Sequence, residues 1–233
     1  MTKLFQIITD SSCDLPQSLA DELDLRVLPL HVTIDGKTYN NYLDGREIAF
    51  KDFFDKLRAG SQGTTSAVNP EEFRAEMEPV LAAGLDVLYV GFSSGLSTTY
   101  QSGCIAADEL REKYPERKIL TIDSLGASLG EGLYVYLAAK KQQSGATIEE
   151  TYDYLMQTRP HLCHWFTVND LMHLKRGGRV SATSAALGTM LDLKPIIVES
   201  KEGKLSSVDK VRGRKKALSY IVDKTVENIE NVE

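Results

Sequence analysis

Cysteine is scarce in this chain of 233 residues. Its three cysteines, Cys13, Cys104 and Cys163, are odd in number and lack metal-site spacing, and no apolar signal stretch opens the chain. We therefore expect reduced thiols and a cytoplasmic protein. Long apolar runs are missing as well, since none approaches the roughly 18 residues that a membrane span needs. The sequence thus predicts no transmembrane segment.

An excess of basic residues is also missing. The 27 Lys and Arg residues stand against 33 Asp and Glu residues, which gives a net charge of −6. A nucleic-acid-binding protein usually carries a basic surface, so we expect no nucleic acid as a partner. The G-x-x-x-x-G-K-[ST] phosphate-binding loop is absent, and the sequence gives no sign of ATP binding by that route.

The N-terminal part of the chain alternates strand patterns with helix patterns. Apolar strand patterns at 4–9, 86–92 and 118–123 are each followed by a polar loop and a helical pattern. This order predicts βαβ units and a parallel sheet. Two extended runs flank Asp35-Gly36, which is typical of a β-hairpin.

Two helices of this part have informative local sequences. A loop that begins at Ser61 leads to Asn69, Pro70 and Glu72, a combination typical of a helix start. The helical pattern at 124–143 has an apolar face, as an amphipathic helix does. The members of that face are Leu129, Leu133, Tyr136 and Leu137.

The pattern changes after a predicted helix at 147–160. A short strand, a short helix and a Gly-Gly break precede two strands around Glu202-Gly203, and a last helix begins near Arg214. We predict an α/β protein with an N-terminal parallel-sheet α/β/α domain over 1–160 and a C-terminal α+β domain over 161–233.

Three polar loops follow the predicted parallel strands, at 9–14, 91–99 and 121–128. Ligands of such sheets bind beyond the carboxyl ends of the strands, so these loops predict a site. Asp10 could belong to that site or only to a turn. Cys13 lies in the first loop without a histidine nearby in sequence, and we interpret it as an inert thiol.

One explanation of Gly91-Phe92-Ser93-Ser94-Gly95 is catalytic. The stretch fits G-x-S-x-G and lies between a strand and a helix, as a hydrolase nucleophile elbow does. Such a hydrolase would use Ser93 with Asp123 and a histidine. The histidines later in the chain are His161, His164 and His173. Against this explanation, the helix begins two or three residues too late for a sharp elbow.

The other explanation is an anion site. Free backbone N–H groups and the dipole at a helix N-terminus stabilise an anion, and the hydroxyls of Ser97 and Thr98 could reach it. Thr64, Thr65 and Ser66 form a second hydroxyl cluster before a helix. Together the clusters would suit a carboxylate or the phosphate of a small metabolite. Simple caps and turns would use the same residue types.

Basic residues are concentrated in two short stretches of the C-terminal part. Lys175, Arg176 and Arg179 surround Gly177-Gly178, and Arg212 opens the second stretch. These residues could be a solvated surface. Cations separated by flexible glycines could instead enclose a phosphate or dock on an acidic partner.

Seven motifs occur in the order seen in the DegV family: "TDSSCDLP", "TTSAVNPEEF", "GFSSGLSTTYQSG", "TIDSLGAS", "LKRGGRVS", "LKPII" and "VRGRKKAL". The chain resembles that family over essentially its whole length. The resemblance implies two α/β domains with a lipid held between them. It also implies the role of the fatty-acid-binding subunit of a bacterial fatty acid kinase.

The resemblance extends to particular residues. Thr65 and Ser97 match the family's carboxylate-binding hydroxyls, with Ser66 and Ser94 close by. Arg176 matches a basic position that engages the kinase. Further candidates of that kind are Arg179 and Arg212.

The resemblance also implies a division of the reaction between proteins. A separate kinase subunit carrying ATP would phosphorylate the carboxylate of a long-chain fatty acid. This protein would hold the acyl phosphate for an acyltransferase of phospholipid synthesis. No catalytic residue, metal or cofactor is implied in this chain, whose ligand is the fatty acid.

Two departures from the family pattern matter. The loop reads "TSAVNP" where the family commonly has "TSQPSP", so we expect a local difference in its backbone. The chain ends at Glu233 in a helical pattern, whereas family proteins usually continue into strands and a Gly-rich segment with a histidine near the lipid head group. We therefore expect a truncated C-terminal domain or a less complete site.

Overall fold

The computed structural model describes residues 4–169, 171–180 and 193–229. The chain divides into two compact units, Met1–Pro160 and His161–Glu233. This division falls where the sequence changes from strand-helix alternation to a mixed pattern.

The first unit contains a parallel sheet and a smaller antiparallel sheet. Its strands are β1 (Phe5–Asp10), β2 (Arg26–Leu28), β3 (His31–Ile34), β4 (Lys37–Asn40), β5 (Gly63–Ser66), β6 (Asp86–Gly91) and β7 (Ile119–Asp123). Its helices are α1 (Gln17–Glu22), α2 (Phe50–Arg58), α3 (Pro70–Ala82), α4 (Thr99–Lys113), α5 (Leu129–Gln143) and α6 (Ile148–Thr158). The parallel sheet has the order β2-β1-β6-β7, which confirms the predicted βαβ arrangement, and the antiparallel sheet has the order β4-β3-β5.

One part of the core of the first unit lies between the parallel sheet and helices α3 and α4. All six residues of β1 are buried, as expected for a parallel strand that is covered on both faces. Phe73 of α3 packs edge-to-face on Tyr89 of β6, with ring centroids 4.8 Å apart. Gly103 lets α4 approach this ring, because a Cβ there would lie 2.3 Å from a Tyr89 ring carbon. This close packing fixes where the N-terminus of α4 lies.

Two local predictions in the first unit are confirmed. Asp35 and Gly36 join β3 to β4 with φ values of 52° and 76°, the left-handed conformation that a two-residue hairpin turn requires. Asn69 caps α3, since its side chain accepts the N–H of Glu72 at 3.0 Å. Glu72 accepts the N–H of Asn69 in return at 2.8 Å, which completes the capping box.

The stretch predicted as a loop from Ser61 contains strand β5. It pairs antiparallel with β3, with Thr65 opposite Val32 and Ser66 opposite His31. All four residues of β5 are exposed. The strand has no buried face, so the usual alternation of apolar and polar residues is absent and its order depends on pairing with β3.

Helix α5 buries a different face from the one its apolar pattern predicts. Leu129 and Leu133 are 64% and 47% exposed. The buried side includes Tyr134, Val135, Ala138 and Ala139. Gly132 explains the difference, because a Cβ there would lie 2.5 Å from the carbonyl oxygen of Cys13. The small residues permit close packing, and this packing outweighs the larger hydrophobicity of the leucines.

The second unit is built on an antiparallel sheet of order β10-β9-β8. Its elements are β8 (Trp165–Phe166), α7 (Leu171–Arg176), β9 (Leu193–Glu199), β10 (Leu205–Arg212) and α8 (Arg214–Asn228). This confirms the predicted strand pair around Glu202-Gly203 and the helix from Arg214. Leu171, Val180 and Ile197 form its buried cluster. Among the helices within the described ranges of both units, none is long and apolar enough to cross a membrane.

Candidate functional site

The loop at 92–98 connects β6 to α4 and lies at the carboxyl edge of the parallel sheet. Its Phe92 N–H donates to Asp10 Oδ2 at 3.0 Å, and its Ser94 N–H donates to Asp123 Oδ1 at 3.2 Å. Asp10 ends β1 and Asp123 ends β7, the strands on either side of β6. The three polar loops that the sequence placed after these strands therefore meet at one edge.

Asp10 supports this loop from within the core. Its carboxylate is fully buried and accepts hydrogen bonds from the N–H of Phe92, the N–H of Ser12 at 3.1 Å and the hydroxyl of Tyr89 at 3.4 Å. Burial raises the pKa of the Asp10 carboxyl above its ordinary value, and the hydrogen bonds from Phe92 and Ser12 oppose that rise. Burial also raises the pKa of the nearby Cys13 thiol, which keeps it protonated and unreactive.

Ser93 is buried at the centre of the 92–98 loop. Its side chain is fully buried, and its Oγ accepts the N–H of Gly95 at 3.2 Å. Its carbonyl accepts the N–H groups of Leu96 and Ser97, and its own N–H donates to Gly126. A nucleophile must be accessible to its substrate, so this environment argues against the hydrolase explanation. Asp123 accepts backbone N–H groups, as its bonds to Ser94 and Leu125 show.

The backbone N–H groups of the loop are used internally. From Phe92 to Ser97 each N–H donates to an acceptor of the protein: Asp10, Gly126, Asp123, or the side chain or carbonyl of Ser93. Residues 92–97 therefore have no free N–H group for a ligand, and the expectation of an anion at the N-terminus of α4 concerns the residues that follow them, from Thr98 onwards. This part of the loop bonds to itself and to the residues at the ends of its two neighbouring strands, so the donors that residues 92–97 offer to a ligand are side-chain hydroxyls.

Ser94 and Ser97 carry those hydroxyls, and both are half-buried. Ser97 Oγ accepts the N–H of Thr99 at 3.2 Å and lies 2.9 Å from Thr99 Oγ1. Thr98, which directly precedes α4, makes no capping hydrogen bond with its side chain. Thr98 is the N-cap residue of α4, and Ser97, one residue earlier, supplies the side-chain oxygen that accepts the first helical N–H. The sequence contained the Ser-x-Thr pattern at this helix start, but the partnership of Ser97 with Thr99 became visible only in the fold.

The other predicted hydroxyls lie on β5. Thr65 is directly opposite Val32 and Ser66 is directly opposite His31, so the two hydroxyls point to opposite faces of the sheet. Both residues are exposed, and within the described ranges neither forms a hydrogen bond with the 92–98 loop. The structure thus brings Ser94 and Ser97 together in one loop and places Thr65 and Ser66 on a separate edge strand.

The predicted basic residues lie in the second unit. Arg176 ends α7 and is exposed, and Arg179 follows the two glycines, with its guanidinium donating to the carbonyl of Gly177. Arg212 ends β10 and is also exposed. Neither Arg176 nor Arg212 forms a salt bridge with another residue in the part of the chain that the structure describes.

Comparisons with known proteins agree on one family. The family model described as an uncharacterised protein of the DegV family matches residues 4–232. A DegV domain-containing protein of Clostridium perfringens is 42% identical over 229 residues, which cover 98% of this chain and 78% of the relative.

Two solved structures extend the comparison to the fold. A structure described as fatty acid binding of a DegV family protein from Thermus thermophilus is 35% identical, with a TM-score of 0.84 over 97% of this chain and 78% of that one. A structure of DegV from Bacillus subtilis, described as a fatty acid binding protein, is 28% identical with a TM-score of 0.82 over the same shares. The chain belongs to the DegV family.

Proposed function

We propose that this protein binds a long-chain fatty acid and holds its carboxylate with Ser94 and Ser97, assisted by Thr65 or Ser66 of β5. The observation that carries this proposal is the 92–98 loop, in which residues 92–97 use their backbone N–H groups internally and Ser94 and Ser97 present half-buried hydroxyls at the carboxyl edge of the sheet. The descriptions of the Thermus thermophilus and Bacillus subtilis relatives as fatty acid binding support the same ligand.

Elementary energetics are compatible with this ligand. Burying an acyl chain gains about 0.8 kcal/mol per methylene, so a long chain supplies ample affinity. A carboxylate that leaves water needs hydrogen-bond donors, and serine hydroxyls can provide them. Because these donors are neutral, they leave the carboxylate without a tight ion pair and able to attack a phosphoryl group.

The proposal extends to a role in fatty acid phosphorylation. A separate kinase subunit would supply ATP and catalysis, and this protein would present the carboxylate and then hold the acyl phosphate for an acyltransferase of phospholipid synthesis. The protein itself would be a non-catalytic cytoplasmic subunit without a cofactor. Arg176, Arg179 and Arg212 would contact the kinase, and the exposure of all three is consistent with that role.

Native mass spectrometry of the purified protein, followed by identification of the released ligand, tests the proposal. We expect one fatty acid per chain, and a weaker complex in the Thr65→Ala/Ser97→Ala double variant. Thr33→Ala, which alters an exposed hydroxyl pair of β3 and β4, is the matched control. A protein that is purified empty and does not take up hexadecanoic acid would contradict the proposal. Release of a water-soluble phosphate compound would instead favour a metabolite-binding protein.

A further inference from the structure

Thr99 is the first residue of α4, and its hydroxyl has a defined place in the core. The side chain is fully buried, and its Oγ1 lies 2.9 Å from Ser97 Oγ. The backbone N–H of Thr99 also donates to Ser97 Oγ, at 3.2 Å. Two groups of one residue therefore converge on a single serine oxygen.

The direction of the hydroxyl hydrogen bond follows from burial. A buried O–H group without an acceptor carries a large desolvation cost. Within the described part of the chain, Ser97 Oγ is the only hydrogen-bond partner of Thr99 Oγ1, so Thr99 must donate to Ser97 to satisfy its own hydrogen. Ser97 is half-buried, and its hydrogen has other directions available.

This direction determines which hydrogen bonds the Ser97 hydroxyl can still form. A serine hydroxyl has two acceptor lone pairs and one O–H donor. The N–H and the O–H of Thr99 occupy the two lone pairs, so the O–H of Ser97 points away from Thr99 as a donor. The N–H groups of residues 92–97 are already used, which makes the direction of this O–H important for any ligand that only accepts hydrogen bonds.

We propose that Thr99 is a positioning residue that sets Ser97 as an outward hydrogen-bond donor and thereby selects head groups that only accept, such as a carboxylate. This inference rests on the proposed function and adds a residue and a specificity to it. A fatty alcohol is not selected in the same way, because its hydroxyl can donate to Ser97 as well as accept from it.

The experiment compares binding of hexadecanoic acid and hexadecan-1-ol to the folded full chain. Thr99→Val removes the hydroxyl at nearly constant shape and frees the Ser97 hydrogen to rotate. We expect hexadecanoic acid to bind about tenfold more weakly, which corresponds to about 1.4 kcal/mol, and hexadecan-1-ol to bind within about twofold of wild type. Thr99→Ser keeps the donor and should bind both ligands as wild type does.

A control variant removes another buried threonine hydroxyl. Thr151 of α6 is fully buried and donates to the carbonyl of Thr147 at 2.9 Å, so Thr151→Val should leave both affinities unchanged. In a Ser97→Ala background, Thr99→Val should have no further effect on acid binding. Thr99→Ala replaces Thr99→Val if the valine variant does not fold.

Each alternative result has a separate meaning. Equal weakening of both ligands, or unchanged acid binding in Thr99→Val, would overturn the role of Thr99 and leave fatty acid binding intact. Failure of the wild-type protein to bind hexadecanoic acid would overturn the proposed function and this inference together.

Discussion

The two units differ in charge and in how they bury their strands. Residues 1–160 contain 15 basic and 24 acidic residues, a net charge of −9, whereas residues 161–233 contain 12 basic and 9 acidic residues, a net charge of +3. In the first unit β1 is buried throughout, whereas no residue of β10 in the second unit is buried. The unit with the hydroxyl loop is therefore acidic, and an anion bound there would depend on hydrogen bonds more than on net charge. The basic unit has the charge that attracts an acidic partner.

The largest expected effect is the loss of the core of the first unit. Phe73→Ala removes a fully buried ring that packs on Tyr89, and we expect the free energy of unfolding of that unit to fall by about 3–5 kcal/mol. Urea denaturation followed by circular dichroism measures this loss. Phe54→Ala is the control, because Phe54 is 49% exposed, and its effect should be much smaller. Equal losses would contradict the assigned core.

The next effect concerns the buried carboxylate of Asp10. Asp10→Asn replaces one acceptor oxygen by an NH₂ group that faces N–H donors, and we expect the free energy of unfolding to fall by about 1–3 kcal/mol at acidic pH. The pKa of Asp10 is raised in the folded protein above its ordinary value of 3.8. The carboxyl group therefore stabilises the folded state below pH 3.8, and this contribution is lost as the pH rises through the folded-state pKa. The difference between wild type and variant should therefore shrink as the pH rises above 3.8 and through the folded-state pKa.

Urea denaturation at several pH values tests both parts of this expectation. Asp52→Asn, at an exposed residue in the first turn of α2, is the matched control and should show neither effect. A difference that grows with pH would show that Asp10 has a lowered pKa in the folded protein.

A moderate effect is expected for the basic surface of the second unit. If Arg176 contacts the kinase subunit, Arg176→Glu should slow phosphorylation of the bound fatty acid about tenfold at low salt through weaker association, and leave fatty acid binding unchanged. Lys201→Glu makes the same change of charge at an exposed turn of the same unit and is the control. Equal slowing by both variants would indicate a general charge effect and no specific contact.

The smallest expected effect separates the two faces of α5. Leu129→Gln alters a residue that is 64% exposed and should change the free energy of unfolding by less than about 0.5 kcal/mol. Val135→Ala alters a fully buried residue of the same helix and should cost about 1–3 kcal/mol. Thermal unfolding of both variants measures the contrast. The reverse order would show that the buried face of α5 is the one that the sequence pattern predicts.

Sequence patterns predicted the elements that are determined by residues close together in the sequence. The buried strands β1, β6 and β7 are apolar runs, the hairpin depends on Asp35-Gly36, and α3 begins at a capping box formed within four residues. Strand β5 and the buried face of α5 could not be predicted in this way. The first depends on pairing with β3, and the second on the approach of Gly132 to a distant carbonyl group.

The candidate site was predictable in its residue types and less so in its hydrogen bonds. The clustered hydroxyls at 93–99 indicated a polar site, but Asp10 is 82 residues from its partner Phe92, and Asp123 is 29 residues from Ser94. Hydrogen bonds between residues so far apart in the sequence cannot be predicted from a local sequence pattern. This is why the sequence did not predict that the N–H groups of residues 92–97 bond within the protein.

The self-contained hydrogen bonding of the 92–98 loop has a consequence for the cost of binding. A loop that becomes ordered only around its ligand reduces the net affinity by the conformational entropy that it loses. Here residues 92–97 already donate their N–H groups to fixed acceptors of the protein itself. The loop is preorganised. When a head group binds its hydroxyls, little backbone conformational entropy is lost, and the hydrogen bonds contribute almost fully to the net affinity.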